Sequence, residues 1–509
     1  MPMDIAAPAR SPQRGLFATA FSAIIATSFC FVLRALVIDD WGRAFALSAT
    51  QKGELLGAGL WPFAITIILI SLIIDRVGFR ATFWFAGLCH VGGLALLLSA
   101  NGYAALYAGT FIMALGNGAV EAAANPLVAT VFAHDRITWL NRLHAAWPGG
   151  LVLGGLLAIW LGADADWRIK IALTAAPMLL YLGLSLGRRF PASERVSSGF
   201  TFHEMLREVG FGGILVATLL ISLEIGRLLG ASSMAITVFV LAVTGAYACY
   251  VRSPGRPLFL VMLLLMIPLA ITELSTDSWI SSLLEPEMHA LGLQPGWVLV
   301  YMSVIVFGLR LVAGRLVHLL SPFGLLAIAS LAAALGIYLF SFSTGIAILV
   351  AATIYAMGKS FFWGTSLGVA AEQFPKGGAL ALNVLAGSGM LAAGILGSVF
   401  LGTLQDSRTT EMVAAADAQH GTRYESEYLT PPRSTPFGTF RGIDDHRLAT
   451  APESDRQLLS AIDANAKKQA LRNVALLPLL LGLCYLALLF LLGRRGGYRE
   501  TPERVVDRI

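Results

Sequence analysis

Charge is scarce in this chain. Only 13% of its 509 residues are charged, 56% are hydrophobic, and mean hydropathy is +0.72. Soluble domains carry roughly 25% charge, so a soluble enzyme is excluded for most of the length. The net charge of +5 is small and sits mostly in short loops, which argues for membrane orientation and against nucleic-acid binding. Cysteine is sparse too. Cys30, Cys89, Cys249 and Cys484 are scattered through apolar runs without CxxC or Cys/His spacing, which indicates neither a metal site nor a disulfide framework. The sequence shows no nucleophile–base pair and no phosphate loop, so it assigns no catalytic residue and implies no cofactor. A cleavable signal peptide is not evident either: the first apolar run, 15–37, exceeds a signal core of roughly 7–15 residues.

What the chain does have is long apolar runs, and a span needs about 20 such residues. Runs of that kind lie at 15–37, 53–74, 81–100, 103–127, 145–163 and 169–187, then at 211–229 and 233–251. Six more follow at 257–283, 297–319, 323–341, 344–371, 379–403 and 473–493. The reading is an all-α integral membrane protein of about 14 spans. With the N-terminus inside, Arg76, Arg80, Arg136, Arg142, Arg188, Arg189, Arg195, Arg252, Arg256, Arg494 and Arg495 fall on the cytoplasmic side. The opposite loops hold fewer cations, among them Arg43, Lys52, Arg168 and Lys170. The positive-inside rule then places both termini in the cytoplasm of a cell carrying the protein in its inner membrane. Two polar segments interrupt the pattern. Residues 191–210 read as a cytoplasmic linker, and 405–472 as an extramembrane insertion broken by Pro431, Pro432 and Pro436, with a helix expected over 453–469.

An internal repeat sets the architecture. A shift of 242 residues (358 − 116) aligns Ala114, Gly116, Asn141, Leu143 and Gly155 with Ala356, Gly358, Asn383, Leu385 and Gly397. Parallel repetition of six spans is a feature of one large transporter class. The expected division is a six-helix bundle over 1–190, two inserted helices over 211–252, and a second six-helix bundle over 253–509.

Two motifs carry a resemblance. Asp75-Arg76-Val77-Gly78-Phe79-Arg80 resembles the D-R-x-G-x-R loop core of the major facilitator superfamily. Its carboxylate and two guanidiniums at a helix junction suit a state-dependent ion-pair latch, so Asp75, Arg76 and Arg80 are gating candidates. Glu121-Ala122-Ala123-Ala124-Asn125-Pro126 resembles the fourth-span E-x-x-x-N-P motif of the fucose/galactose/glucose–proton symporter family, the fucose permease-like transporters. The resemblance implies that Glu121 serves sugar binding and proton coupling and that Asn125 meets sugar hydroxyls. That family has a second proton-linked carboxylate in its first span; here 15–37 holds no acid, and Arg34 is its one charge.

Ionisable groups inside a membrane are expensive and point to function. Glu121, Asn125 and Asn117 make a polar stripe, readable as a solute site or as an interhelical hydrogen-bond cluster. Glu273 and Asp277, four residues apart with Trp279 beside them, suit proton coupling and sugar stacking, or else line a hydrated mouth. Lys359 needs a carboxylate partner, available from Glu121, Glu273 or Asp277, as a coupling switch or as a permanent ion pair. Its charge also admits an anionic substrate such as a sugar acid. Trp363 aligns with Glu121 under the repeat, and Asn383 is a further candidate. Arg34 either snorkels outward or pairs with Glu54 in a gate. Arg310 and Arg315 are read as anchors at the cytoplasmic end of their span, and His90 as a satisfied bundle histidine.

The sequence reading is therefore a secondary active transporter of a small polar solute, a sugar or sugar derivative, working with protons in the lipid bilayer. The alternatives are a proton-driven exporter of drugs or metabolites, and a non-transporting sensor or scaffold acting through 405–472.

Overall fold

A computed structural model describes residues 10–47, 49–162, 164–277, 284, 288, 292, 296–435, 438–494 and 498. The first half comprises α1 (Arg10–Phe45), α2 (Ala49–Gly57), α3 (Trp61–Leu98), α4 (Tyr103–Val131), α5 (Arg136–His144), α6 (Ala146–Leu161), α7 (Trp167–Ala172) and α8 (Ala175–Ser185). A short α9 (Glu194–Ser197) lies in the linker, followed by α10 (Phe202–Leu229) and α11 (Ser233–Val251). The second half begins with α12 (Pro257–Ala270), which continues into a π-helical turn, Ile271–Ser275. Then come α13 (Gly296–Leu320), α14 (Pro322–Phe340), α15 (Ala347–Lys359), α16 (Phe362–Gln373) and α17 (Gly378–Ala392). The polar insertion holds the outer part of α18 (Ser398–His420), α19 (Tyr424–Tyr428), the strands β1 (Arg433–Thr435) and β2 (Gly438–Phe440), α20 (Asp445–Ala449) and most of α21 (Glu453–Val474). The last span is α22 (Leu476–Gly493).

Among the described residues, thirteen helices are long and apolar enough to cross a membrane. The second of them, Gln51–Leu98, runs to 48 residues and contains the junction at Gly78. Read as two spans on either side of that junction, it makes the total fourteen. Gly78 takes φ 79 and ψ 160, a left-handed φ that costs glycine little. At the corresponding junction of the second half Ser321 adopts nearly the same angles, φ 60 and ψ 159, with its hydroxyl oxygen accepting from the Gly324 amide at 3.3 Å. The turn geometry has been kept where the loop motif has not.

Small residues let the spans approach closely. A Cβ on Gly116 would lie 2.9 Å from the Ala86 carbonyl, and one on Gly358 2.6 Å from the Ala329 carbonyl. These are matching helix crossings, α4 on α3 and α15 on α14. The repeat also supplies two matching ties between the halves. Asn141 Nδ2 donates to Thr365 Oγ1 at 3.1 Å, and Asn383 Nδ2 donates to the Ala122 carbonyl at 3.1 Å. Both asparagines are fully buried.

The two inserted helices are tied back at their base. Backbone amides of Phe211 and Gly212 donate to the Ser253 and Pro254 carbonyls at 2.9 and 3.1 Å, where the chain kinks at Gly210. Along α11 the large side chains Val238, Phe239 and Leu241 are exposed, as a lipid-facing helix requires. The insertion has its own small core of Val413, Ala416, Tyr428, Leu429, Leu459 and Ile462. Its helix over 453–469 is present as part of α21.

Candidate functional site

Glu121 and Asn125 are one turn apart on α4, and Asn125 Nδ2 donates to Glu121 Oε2 at 2.8 Å. At the end of α5, His144 Nε2 lies 2.8 Å from Asn125 Oδ1. Asn125's amide nitrogen is committed to Glu121, so the network assigns the donated hydrogen here to the imidazole. Arg310, from the middle of α13, completes the network. Its Nη1 donates to the His144 carbonyl at 2.9 Å, its Nε to the Ser360 carbonyl at 2.8 Å, and its Nη2 to Glu273 Oε1 at 2.5 Å. A continuous polar chain thus runs from α4 in the first half to the π-turn in the second. A π-turn is a common device at functional sites, and this one carries Glu273.

The chain borders a narrow chamber whose wall includes Glu121, His144, Glu273, Arg310, Trp147 and Trp363. Glu273 Oε2 is buried with no hydrogen-bond partner, an acceptor left open for a donor. Trp363 stands 242 residues after Glu121, and Ala386 the same distance after His144 (386 − 144); all four line the chamber. The two tryptophans give apolar faces to a space with both charge signs, as a small polar solute requires.

Lys359 pairs with both carboxylate oxygens of Asp277, and its ammonium lies 5.1 Å from the Tyr355 ring centroid. The partner therefore comes from the same half, not from Glu121 across the cavity. The described chamber wall includes neither residue of this pair. Asn117 turns away as well: its Oδ1 lies 2.9 Å from His90 Nε2, and His90 Nδ1 lies 3.0 Å from the Tyr181 hydroxyl. The reason is rotational. Eight residues along a helix accumulate about 80° at 3.6 residues per turn, so Asn117 and Asn125 face different neighbours. Trp279 lies outside the described residues.

Arg34 neither snorkels nor meets Glu54. It is 4% exposed, Glu54 accepts from the Tyr103 hydroxyl, and among the described residues no carboxylate pairs with Arg34. Its Cζ lies 5.8 Å from the Phe31 ring centroid, and Phe31 packs 5.6 Å from Trp147 in the chamber wall.

The ion pair at the loop motif is made with the linker. Asp75 Oδ2 accepts from Arg195 Nε and Oδ1 from Ser193 Oγ, each at 2.5 Å, so the linker supplies its partners. Arg76 is exposed with its guanidinium 6.0 Å from the Phe202 ring, and Arg80 is exposed. A second set of contacts closes the same face. Arg136 Nη1 donates to the Ala371 carbonyl at 2.8 Å and Arg256 Nη1 to the Gln373 carbonyl at 3.0 Å, so two cations cap the C-terminus of α16. Arg136 also pairs with linker Glu194 at 3.0 Å.

Sequence reasoning took Arg310 for an anchor and did not name His144 or Trp147. Arg310 sits well inside its apolar run, but without its partner in view an arginine there reads as an anchor. His144 belongs to a polar stretch that resembles a loop.

The Major Facilitator Superfamily family model matches residues 15–398. The cis,cis-muconate transport protein of Acinetobacter baylyi is 29% identical over 169 residues, 32% of this chain and 40% of that protein's length. In three dimensions the chain is similar to the proton:xylose symporter of E. coli, with a TM-score of 0.62 and 15% identity, covering 94% of this chain and 96% of that one. It is also similar to the E. coli fucose:proton symporter, with a TM-score of 0.54 and 15% identity, covering 93% and 98%.

Proposed function

The chain belongs to the major facilitator superfamily, and from that premise we propose that this membrane transporter moves a small polar solute, a sugar or sugar derivative, by proton-coupled alternating access. The observation that carries the reading is the polar chain from Glu121 through Asn125, His144 and Arg310 to Glu273, which crosses between the halves at the chamber. The two halves rock about this midplane site. Glu121 and Glu273 take and release the proton, the open acceptor on Glu273 meets a solute hydroxyl, and Asn125 holds Glu121 in place. Protonation removes a buried charge from the chamber and so lowers the cost of passing through the closed state. The named activities of the two structural neighbours support proton-coupled sugar movement, and the muconate relative keeps organic acids within the solute range. The excess of arginines on the linker face supports an inner-membrane location with both termini in the cytoplasm.

Counterflow of labelled hexoses and sugar acids in proteoliposomes, with and without a pH gradient, tests the reading. It expects exchange of at least one of them with a pH dependence; neither exchange nor pH dependence defeats it. Glu121→Gln is expected to keep solute exchange and lose pH-driven accumulation. Wild-type accumulation by that variant removes Glu121 from the coupling.

A further inference from the structure

Arg34 is a buried cation one ring removed from the chamber wall, and the proposed mechanism gives it no work. Its Nε has no acceptor, it is 4% exposed, and its described contacts hold no carboxylate. A permanently charged guanidinium at membrane depth needs a counter-charge. Two facts show that the protein makes room for it. The ring of Phe31, itself packed on chamber residue Trp147, lies 5.8 Å from its Cζ. At Gly59 a Cβ would fall 1.8 Å from Arg34 Nη1, so the guanidinium occupies the volume a side chain there would take.

Counted over the chamber wall and the ionisable groups just behind it, the described charges balance. Arg34, Arg310 and Lys359 are the cations; Glu121, Glu273 and Asp277 are the anions; His144 donates to Asn125. Arg310 and Lys359 are each paired directly. Among the described residues, that leaves Arg34 and Glu121 as the two of these groups without an opposite charge in contact. A neutral solute arriving with a proton on Glu121 would leave Arg34 uncompensated in the bilayer interior. A solute bearing one carboxylate would restore the balance when Glu121 takes the proton.

We infer that the solute carries a single carboxylate, as a sugar acid does, and that Arg34 is the cation that recognises it. This rests on the transport reading above and narrows its substrate class. The anion enters opposite Arg34, and one proton binds a Glu121 oxygen. Loaded and empty chambers then carry the same net charge, so one anion moves with one proton.

The test is counterflow of D-glucose, D-glucuronate and D-gluconate by the full-length protein in liposomes, with fluorescence of the chamber tryptophans reporting binding. Wild type is expected to bind and exchange at least one of the acids, and glucose slower by about tenfold or more. Arg34→Gln is expected to lower acid exchange by about tenfold or more, and Arg34→Lys to retain part of it. Gly59→Ala displaces the guanidinium without removing it, and is expected to weaken acid binding in a protein with an unchanged melting curve. Glucose exchanged with a pH dependence while neither acid binds overturns this inference and leaves proton-coupled sugar transport standing. Acid exchange by Arg34→Gln at the wild-type rate removes Arg34 from recognition. Exchange of none of the three, without pH dependence, sinks the transport reading and this inference together.

Discussion

Arg310 holds three acceptors at once, two backbone carbonyls and a buried carboxylate, and these belong to three different segments. Arg310→Gln strips Glu273 of its counter-charge. Breaking a buried pair from one side costs about 3–5 kcal/mol, so a clear drop in the thermal midpoint is expected together with loss of counterflow. Adding Glu273→Gln to that variant neutralises the stranded partner and is expected to recover much of the midpoint but none of the transport. Recovery of both would mean that the pair is only structural. The sequence made Glu121 legible because an acid in an apolar run announces itself. It left Arg310 illegible because depth is read only from the ends of a run, and a cation's partner 37 residues away is invisible in one dimension. Asn117 shows the opposite failure: its spacing from Glu121 was right for a shared stripe, but slow rotation along α4 carried it to His90.

At the level of whole elements the halves share geometry more faithfully than sequence. Gly78 and Ser321 hold almost identical backbone angles at the turn between consecutive spans, although one lies in a recognisable motif and the other does not. A left-handed φ on a non-glycine residue costs roughly 1 kcal/mol. Ser321→Gly is accordingly expected to raise the thermal midpoint or leave it level, the lost hydroxyl cap offsetting part of the gain. Gly78→Ala is expected to lower it by a comparable amount. A midpoint that falls in the first variant and holds in the second would show that the junctions are not equivalent. The same hidden symmetry appears in the paired ties of Asn141 and Asn383. The repeat exposed both asparagines in the sequence; that each reaches across to the opposite half needed coordinates.

For the molecule as a whole, the linker face is a candidate for pH control. Burial pushes the carboxyl of Glu194 up to about 7 from its ordinary 4.5, against the opposing pull of Arg136. An acid whose value is raised in the closed arrangement stabilises that arrangement fully below its ordinary value, and the contribution is lost as pH rises through the raised one. The closed face is therefore expected to hold best below about 4.5 and to loosen as pH climbs through about 7. Glu194→Gln is expected to flatten that dependence, read as labelling of a cysteine introduced beneath Arg136. A wild-type labelling rate that does not change over this range would rule the control out. The helical, many-span architecture was legible because membrane crossing imposes length and hydropathy on every span. The ion pair of Asp75 was not, because its partner Arg195 stands 120 positions further along the chain. One consequence concerns the lobe formed by the polar insertion. Helix α18 continues unbroken from Ser398 to His420, 23 residues and about 35 Å at 1.5 Å each. It works as a boom fixed to the second bundle: a small tilt at its root becomes a wide sweep at its tip. A pair of spectroscopic labels, one on the lobe and one on the first bundle, should therefore magnify each transport cycle into a displacement large enough to follow in a single molecule.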